Sequence, residues 1–146
     1  MMIRRFGEAP LRGKTYVLRP GAYGILARGN KLLVTLQSKP YVEFQLPGGG
    51  IDLGENGIAA LHREVREETG WKISSPKFIG SFRRFVFMPE YEIWAEKLCH
   101  VFAAQPVYRL SAPTEPFHTA HWMTIREASS LLGNEGDRYF VSRLDH

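Results

Sequence analysis

The sequence contains a single cysteine, Cys99, and this scarcity excludes an internal disulfide framework and a zinc site built from spaced cysteines. No apolar run approaches the roughly 20 residues that a membrane-spanning helix needs. The first eight residues also lack the apolar core of a signal peptide. These absences predict a protein of a reducing compartment, the cytoplasm by default, with no membrane partner.

Internal repeats, low-complexity segments and linkers are missing too, so residues 1–146 are expected to form a single domain. A chain of this length can bury a sizeable core without disulfides. The formal net charge of +4 is compatible with an anionic ligand, although a solvated basic surface explains it equally well. No appended DNA-binding domain is apparent, so DNA is not an expected partner.

Hydrophobic periodicity predicts strands interleaved with helices, which is typical of an α/β or α+β fold with a mixed sheet between helices. Residues 14–28 favour two strands separated by a turn or bulge at Pro20-Gly21. Prolines between residues 105 and 118 favour an irregular loop. The other predicted extended segments are 32–36, 44–47, 77–88, 92–104 and 121–125, and the predicted helices are 56–69, 126–133 and 135–143.

The helix predicted at residues 56–69 carries the most informative side chains. Asn56 suits its N-cap and Gly70 suits its end. At about 100° per residue, one face of this helix is apolar and presents Ile58, Leu61 and Val65. An adjacent stripe presents Ala60, Glu64, Glu67 and Glu68. If the apolar face packs on the sheet, the carboxylates are expected to line a cleft.

Three carboxylates on one helical face repel each other unless they are solvated, paired or bound to a metal. Mg²⁺ and Mn²⁺ prefer oxygen ligands and keep several waters, so glutamates at this spacing suit such a cation. The glycines at residues 48–50 allow close approach of the backbone, but no Gly-Lys-Ser/Thr follows, which excludes a P-loop. Arg63 is placed to hold Glu55 in a bidentate pair. The alternative interpretation is a charged, solvated helix face.

These residues resemble the Nudix box. Its pattern is glycine, five residues, glutamate, seven residues, Arg-Glu, a bulky apolar residue, any residue, Glu-Glu, any residue, glycine and a bulky apolar residue. Every specified position is occupied, in order by Gly49, Glu55, Arg63, Glu64, Val65, Glu67, Glu68, Gly70 and Trp71. Residues 44–49 also resemble the usual approach to the box.

The resemblance implies the Nudix fold and hydrolysis of a nucleoside diphosphate linked to another moiety, with Mg²⁺ or Mn²⁺ as cofactor. It implies that Glu67 and Glu68 are the main metal ligands and that Glu64 is a ligand or the general base. The Gly49 carbonyl often joins the metal shell in relatives, and the resemblance implies that Arg63 and Glu55 are mainly structural. A metal-oriented water would attack phosphorus with the help of a carboxylate base. Many relatives are dimers, so a homodimer is also an expectation.

The resemblance defines the substrate less well than the chemistry. Pro89 and Tyr91 miss the registers of ADP-ribose and diadenosine-polyphosphate hydrolases, and no coenzyme A signature is apparent. The compact chain with its Leu-Pro-Gly-Gly-Gly approach looks most like small nucleoside-triphosphate or nucleotide-sugar hydrolases. Two alternatives stay open: a nucleotide-binding sensor without turnover, and a pyrophosphohydrolase of the RNA 5′ end.

Side chains outside the box are weaker candidates. Arg83 and Arg84 fall on opposite faces of a predicted strand, so one of them could meet a phosphate, although surface placement is favoured. For the aromatic residues, core packing is favoured over base stacking: Phe85, Phe87, Tyr91 and Trp94. Surface roles are favoured over a part in catalysis for Glu90, Glu92, Glu96, Glu115, His118 and His121, the first histidine in a loop and the second at a strand edge. Cys99 is expected to be a buried small hydrophobe.

Overall fold

The computed structural model describes residues 3–144. Its strands are β1 (Arg4–Arg5), β2 (Val17–Arg28), β3 (Lys31–Gln37), β4 (Glu43–Gln45), β5 (Gly48–Gly50), β6 (Trp71–Met88), β7 (Ile93–Arg109) and β8 (His118–Thr124). Its helices are α1 (Gly57–Thr69), α2 (Ile125–Leu131) and α3 (Glu135–Ser142). Among these described residues, no helix combines the length and the apolar character needed to cross a membrane.

The strands form one mixed sheet. Its main path runs β1-β6-β7-β2-β3-β4, with β5 paired to β2 and β8 paired to β3. The pairs β1/β6 and β2/β7 are parallel and the other pairs are antiparallel. The predicted α+β class with a mixed sheet is confirmed.

The sheet divides between β2 and β3, and this division positions the site. The two strands pair only near their connecting turn, from Leu26 opposite Leu33 to Arg28 opposite Lys31. Residues 21–23 of β2 pair with the glycine strand β5 instead, while residues 35–37 of β3 pair with β4. The short strands therefore occupy the space between two diverging long strands, and they bring the glycines to its edge.

Apolar side chains are buried on both faces of the sheet, as the alternation of a strand requires. On one face, Leu33 of β3 belongs to the cluster that contains Leu61 and Val65 of α1. On the other face, Leu32 belongs to the cluster that contains Val141 of α3. The helices thus cover both faces of the sheet, as the sequence predicts.

Helix α1 has the predicted ends but a different buried face. The Asn56 side chain accepts the Ala59 N–H at 2.8 Å, and Gly70 ends the helix with φ 78°. Ile58 is 46% exposed, so its predicted burial is wrong. Ile58 lies roughly 80° around the helix from Glu68 at about 100° per residue. Glu68, rather than Ile58, lies on the buried stripe beside Leu61, and this rotation takes its carboxylate into the interior.

Two strand predictions are corrected. β2 is continuous through Pro20, because a proline removes one donor but keeps an extended φ; its carbonyl still accepts the Ile51 N–H at 3.0 Å. The loop predicted from residue 105 begins only after Arg109, since Pro106 lies in β7 opposite Ile73 of β6. The ladder shifts its register beside this pair, between Lys72 and Ile73, so the proline is accommodated at an irregularity.

Candidate active site

A cavity of about 250 Å³ lies where β2 and β3 diverge. One side is formed by β5, α1 and the loop after β7, and it carries the carboxylates of Glu64, Glu68 and Glu115. The sheet contributes three cations, which we call the basic wall: Arg19 of β2, Arg84 of β6 and Lys97 of β7. His118 of β8 and the first turn of α3 complete the enclosure. The cavity therefore brings carboxylates and cations to one partly open cleft.

Glu68 is the most deeply placed carboxylate of α1. The residue is 6% exposed, and its Oε1 accepts the Gly48 N–H at 3.0 Å. Burial raises its pKa well above the ordinary value, and the neighbouring Glu64 and Glu115 raise it further, whereas the Gly48 hydrogen bond lowers it. A buried carboxylate that is costly to ionise is stabilised as an anion by a nearby cation.

Glu64 lies one turn earlier on α1, against the glycine strand. A Cβ atom at Gly49 would lie 2.6 Å from its carboxyl group, so a side chain at this position would require the Glu64 carboxyl group to move. Its Oε1 accepts a hydrogen bond from Arg63 Nη1 at 2.9 Å. Burial raises the pKa of Glu64, while the Arg63 contact lowers it. Glu64 is therefore less enclosed than Glu68 and has its own counter-charge.

Arg63 connects the helix to the loop that precedes it. Its Nε and Nη2 donate to the two oxygens of Glu55 at 2.9 Å each, so the expected bidentate pair is confirmed. Nη2 also donates to the Gly50 carbonyl at 2.9 Å. The Arg63 hydrogen bond lowers the pKa of Glu55 to about 2. Neither residue lines the cavity, and their contacts fix the glycine strand against α1.

Glu67 is the box glutamate that the structure places apart. Its side chain is 35% exposed and does not line the cavity; its Oε2 lies 3.4 Å from Arg63 Nη1. Its carbonyl accepts the N–H groups of Thr114 and Glu115, both at 2.8 Å. Within residues 3–144, no three acidic, histidine or cysteine side chains are gathered at metal-binding distances. The carboxylates influence one another electrostatically, but they do not form a complete set of metal ligands.

The donor chemistry nevertheless fits a hard divalent cation. The carboxylates of Glu64, Glu67 and Glu115 each raise the pKa of Glu68, which places four acidic groups within electrostatic reach of one another. Among the described residues, the only guanidinium in an ion pair with any of these four is that of Arg63. Oxygen-only donors and excess negative charge are what Mg²⁺ and Mn²⁺ require.

Glu115 is brought to the site by the loop that follows β7. Leu110 and Ser111 donate their N–H groups to the Gly70 carbonyl at 2.7 and 3.3 Å, so this loop wraps the end of α1. Glu115 was expected to be an ordinary surface charge, and it lines the cavity although it remains exposed. No spacing in the sequence links Glu115 to the box. What brings Glu115 to the site is its backbone hydrogen bond to the end of α1, which only the fold shows.

The two neighbouring arginines of β6 occupy different faces, as alternation predicts. Arg84 is half-buried in the basic wall, and no ion pair to it is formed within residues 3–144. Arg83 is exposed and lies 3.5 Å from Glu96. Sequence reasoning overlooked Arg19 and Lys97, since isolated cations on long strands carry no motif.

The predicted core packing of the aromatic residues is wrong for two of them. Phe87 and Tyr91 are 46% and 57% exposed and line the mouth of the cavity. Phe85 and Trp94 instead pack edge-on against Tyr16. The difference arises because Phe87 and Tyr91 lie at the turn end of the β6–β7 hairpin, where neither side chain joins a buried cluster.

His118 is the first residue of β8, so its predicted position in a loop is wrong. Its Nδ1 lies 2.9 Å from Thr35 Oγ1 and 3.8 Å from Glu68 Oε2. Burial lowers the pKa of His118 and raises that of Glu68, so both groups resist charging and the contact is not a formed ion pair. His121, on the same strand, lies instead beside the hydroxyl of Thr119 at 2.7 Å.

Helix α3 contributes a buried carboxyl that no sequence motif marked. Asp137 is 2% exposed, and its Oδ2 accepts the Leu46 N–H at 3.3 Å. Burial raises its pKa to about 6, against the lowering effect of the Leu46 bond. Asn134 caps α3 by accepting the Asp137 N–H at 2.8 Å. Cys99, also in the cavity wall, is 3% exposed, as expected of a buried small hydrophobe.

Known proteins share both the sequence pattern and the architecture. The family model described as "NUDIX domain" matches residues 17–144. A Bacillus subtilis (strain 168) protein, provisionally named an 8-oxo-dGTP diphosphatase, is 31% identical over 74 residues, which are 51% of this chain and 50% of that protein. The alignment thus spans about half the length of this curated relative.

Solved structures extend the likeness over most of the chain. A MutT NUDIX hydrolase from Burkholderia pseudomallei has a TM-score of 0.71 at 17% identity, covering 88% of this chain and 98% of its own. A MutT protein from Bacillus halodurans has a TM-score of 0.70 at 23% identity, covering 86% and 80%. At these identities the structural likeness establishes the fold.

Proposed function

Because this chain belongs to the Nudix family, we propose that it is a metal-dependent pyrophosphohydrolase acting on a nucleoside diphosphate linked to another moiety. The observation that carries the proposal is the buried carboxylate of Glu68, which lines the same cavity as the basic wall. Carboxylates that bind a cation and side chains that bind phosphate oxygens are the two groups of ligands that a diphosphate substrate needs.

Glu67, Glu68, Glu64 and the Gly49 carbonyl form the proposed ligand set for Mg²⁺ or Mn²⁺. Glu68 supports this role best, because its burial and its acidic neighbours leave its anion undercompensated by the chain. Glu67 Oε2 lies 3.4 Å from Arg63 Nη1, a long contact that a bound cation would have to replace. The bound cation would neutralise phosphate charge and orient water.

The chain's own groups account for the remaining steps. Arg84 and Lys97 bind phosphate oxygens, since both line the same cavity as the carboxylates of Glu64 and Glu68. As water attacks phosphorus, the bridging P–O bond breaks and the departing phosphate keeps its electron pair. Glu64 takes the proton that the water loses or serves as a further ligand; burial raises its pKa, which makes its carboxylate a stronger base.

The proposed substrate is a small nucleotide, of the nucleoside-triphosphate or nucleotide-sugar type. The name of the Bacillus subtilis relative supports the triphosphate class. The exposed rings of Phe87 and Tyr91 at the cavity mouth suit a planar base. A cytoplasmic location and a homodimer stay predictions that follow from the single cysteine and from family resemblance.

The test is release of phosphate or pyrophosphate from nucleoside triphosphates, including 8-oxo-dGTP, dinucleotides and nucleotide sugars, with Mg²⁺, Mn²⁺ or chelator. We expect one class to be hydrolysed only with metal. Glu68→Gln should reduce kcat by about 10³-fold or more, beyond the roughly 10–100-fold cost of altering a residue that merely supports a ligand. Glu8→Gln, a matched change at an exposed site, should leave the rate unchanged.

Two other outcomes would redirect the assignment. Nucleotide-induced melting shifts without turnover of any substrate would favour a sensor. Pyrophosphate release from triphosphorylated RNA in preference to free nucleotides would favour an RNA 5′-pyrophosphohydrolase. Full activity of Glu68→Gln would show that Glu68 has no functional role in the site.

A further inference from the structure

We propose that the three cations of the basic wall, Arg19, Lys97 and Arg84, together bind a chain of three phosphates, so that the site selects a nucleoside triphosphate over a nucleotide sugar. This inference rests on the proposed function and deepens it, because it decides between the two proposed substrate types. It also assigns a role to Arg19, which the hydrolysis of a diphosphate as described above does not use.

The three cations stand in one row across the sheet. Arg19 of β2 is directly opposite Lys97 of β7, and Lys97 is directly opposite Arg84 of β6. Residues directly opposite each other point to the same face of a sheet, and here that face forms the wall of the cavity. Two strand spacings, about 10 Å, separate β2 from β6. Long side chains from these three positions can therefore reach one extended anion.

The row brings like charges together. Like charges directly opposite each other on neighbouring strands are destabilising. All three side chains are half-buried, so water screens their charges only in part. The rows on either side of them on the same face contain no acidic residue: Val17, Ala95 and Val86 towards the hairpin turn, and Gly21, Cys99 and Phe82 towards the core.

Carboxylates elsewhere in the cavity do not neutralise the row. Within residues 3–144, no ion pair joins Arg19, Lys97 or Arg84 to an acidic side chain. Burial raises the pKa of Asp137 to about 6, although Arg84 and Lys97 lower it, so the acid nearest to them in effect resists ionisation. The other acidic residues that line the cavity are Glu43, Glu64, Glu68, Glu90 and Glu115.

The opposite face of the same strands is arranged differently. There Arg83 of β6 lies 3.5 Å from Glu96 of β7, as expected of a solvated surface with both signs of charge. On the cavity face, the Arg19 guanidinium lies 4.8 Å from the centre of the Tyr91 ring, and Lys97 Nζ lies 5.9 Å from that of Tyr23. Ring faces attract a cation without neutralising its charge. An anionic ligand would supply the negative charge that the chain does not.

The charge of the ligand discriminates between the two substrate types. A terminal phosphate carries about 1.5 to 2 negative charges at pH 7, because its second pKa lies near 6. In a nucleotide sugar both phosphates are esterified, so neither has a second ionisable oxygen. A triphosphate adds a phosphate and roughly doubles the negative charge. Arginine and lysine bind phosphate oxygens through charge-assisted hydrogen bonds, and three such side chains in a row suit the longer chain.

The experiment compares two inorganic anions, tripolyphosphate and pyrophosphate, by calorimetric titration in Mg²⁺ buffer. The native protein should bind tripolyphosphate about 10-fold more tightly or better, the lower range for a hydrogen bond to a charged group. Arg19→Gln should remove this preference by weakening tripolyphosphate binding much more than pyrophosphate binding. Arg83→Gln is the matched control, since Arg83 lies on the opposite face, and it should leave both affinities unchanged. Equal affinities in the native protein, or a preference that survives in Arg19→Gln, would overturn the inference.

A second measurement tests whether the row is left unneutralised by the chain itself. Lys97→Met keeps the length of the side chain and removes the charge between the two arginines. In buffer free of phosphate, its melting temperature should equal or exceed that of the native protein, and the increase produced by tripolyphosphate should be smaller. A melting temperature lowered by several degrees would show that the Lys97 charge stabilises the fold, which contradicts the proposed row.

Turnover separates this inference from the proposed function. Metal-dependent hydrolysis of nucleotide sugars in preference to triphosphates, without tighter binding of tripolyphosphate, overturns the selectivity and leaves the pyrophosphohydrolase assignment intact. Absence of metal-dependent turnover of every substrate, with tripolyphosphate binding that depends on Arg19, overturns the hydrolysis and leaves the basic wall as a triphosphate site.

Discussion

Two regions of the chain reach the cavity by different routes. The box region, residues 48–70, is continuous and organised by contacts within itself, such as the bidentate pair of Arg63 with Glu55. The distal region, residues 110–137, delivers Glu115, His118 and Asp137 from a loop, a strand and a helix. The box region supplies the cavity carboxylates of Glu64 and Glu68, while the distal region contributes to their surroundings.

The two regions also treat negative charge in opposite ways. In the box region, pairing with Arg63 lowers the pKa of Glu55 to about 2, so that carboxylate stays ionised. In the distal region, burial raises the pKa of Asp137 to about 6. Local pairing thus preserves charge, and enclosure by distant elements suppresses it. Glu68 lies in the box region of the sequence, but its buried environment is like that of the distal region.

The largest effect is expected where the box region meets β2. Gly48 has φ 150°, and a Cβ atom there would lie 2.1 Å from the Ala22 carbonyl oxygen. Gly48→Ala should lower the free energy of unfolding by about 4 kcal/mol or more, since strain and a backbone clash add together. Urea unfolding measures this.

Gly50→Ala supplies the matched comparison within the same strand. A Cβ atom at Gly50 has no neighbour within 4 Å, so its stability should change little. Equal losses in the two variants would show that the glycine strand is not held by close approach to β2.

The next effect concerns the buried carboxyl of the distal region. The pKa of Asp137 is raised from 3.8 to about 6 in the folded protein, so the folded state binds its proton more tightly than the unfolded state does. Its contribution to stability is therefore present below pH 4 and lost as the pH rises through 6. The loss amounts to roughly 3 kcal/mol.

Asp137→Asn should lack this pH dependence. Relative to the native chain, the variant should gain roughly 2.4 kcal/mol of unfolding free energy between pH 4 and pH 7, by urea unfolding at both values. Because other titrating groups are common to both proteins, the difference isolates Asp137. A difference that stays constant with pH would contradict its raised pKa.

The smallest effect is expected in the basic wall, which faces both regions. Arg84→Ala should raise KM for the substrate by about 10-fold, the lower range for a hydrogen bond to a charged group, with a smaller change in kcat. Arg83→Ala is the control, because Arg83 is exposed on the opposite face and contacts Glu96. Steady-state kinetics distinguish the two, and equal effects would exclude Arg84 from phosphate binding.

Prediction from the sequence was most accurate where contacts are short-range. The ends of α1 follow from Asn56 and Gly70, whose capping interactions involve residues within four positions. The Arg63–Glu55 pair spans eight positions and also lies within the box region. The continuous strand through Pro20 and the extension of β7 to Arg109 were missed, because ladder partners elsewhere in the chain compensate for residues that locally favour turns.

The sequence by itself determined the family, the mixed-sheet class, the helix that carries the glutamates and the oxygen-rich chemistry suited to a divalent cation. Spacing along one helix and one loop is enough for these, because the interactions involved are local. Only the tertiary structure decided that Glu68 is buried while Glu67 is partly exposed, and that His118, Glu115 and Asp137 reach the cavity. The physical reason is that the rotation of α1 on the sheet and the divergence of β2 from β3 are set by long-range packing and strand pairing.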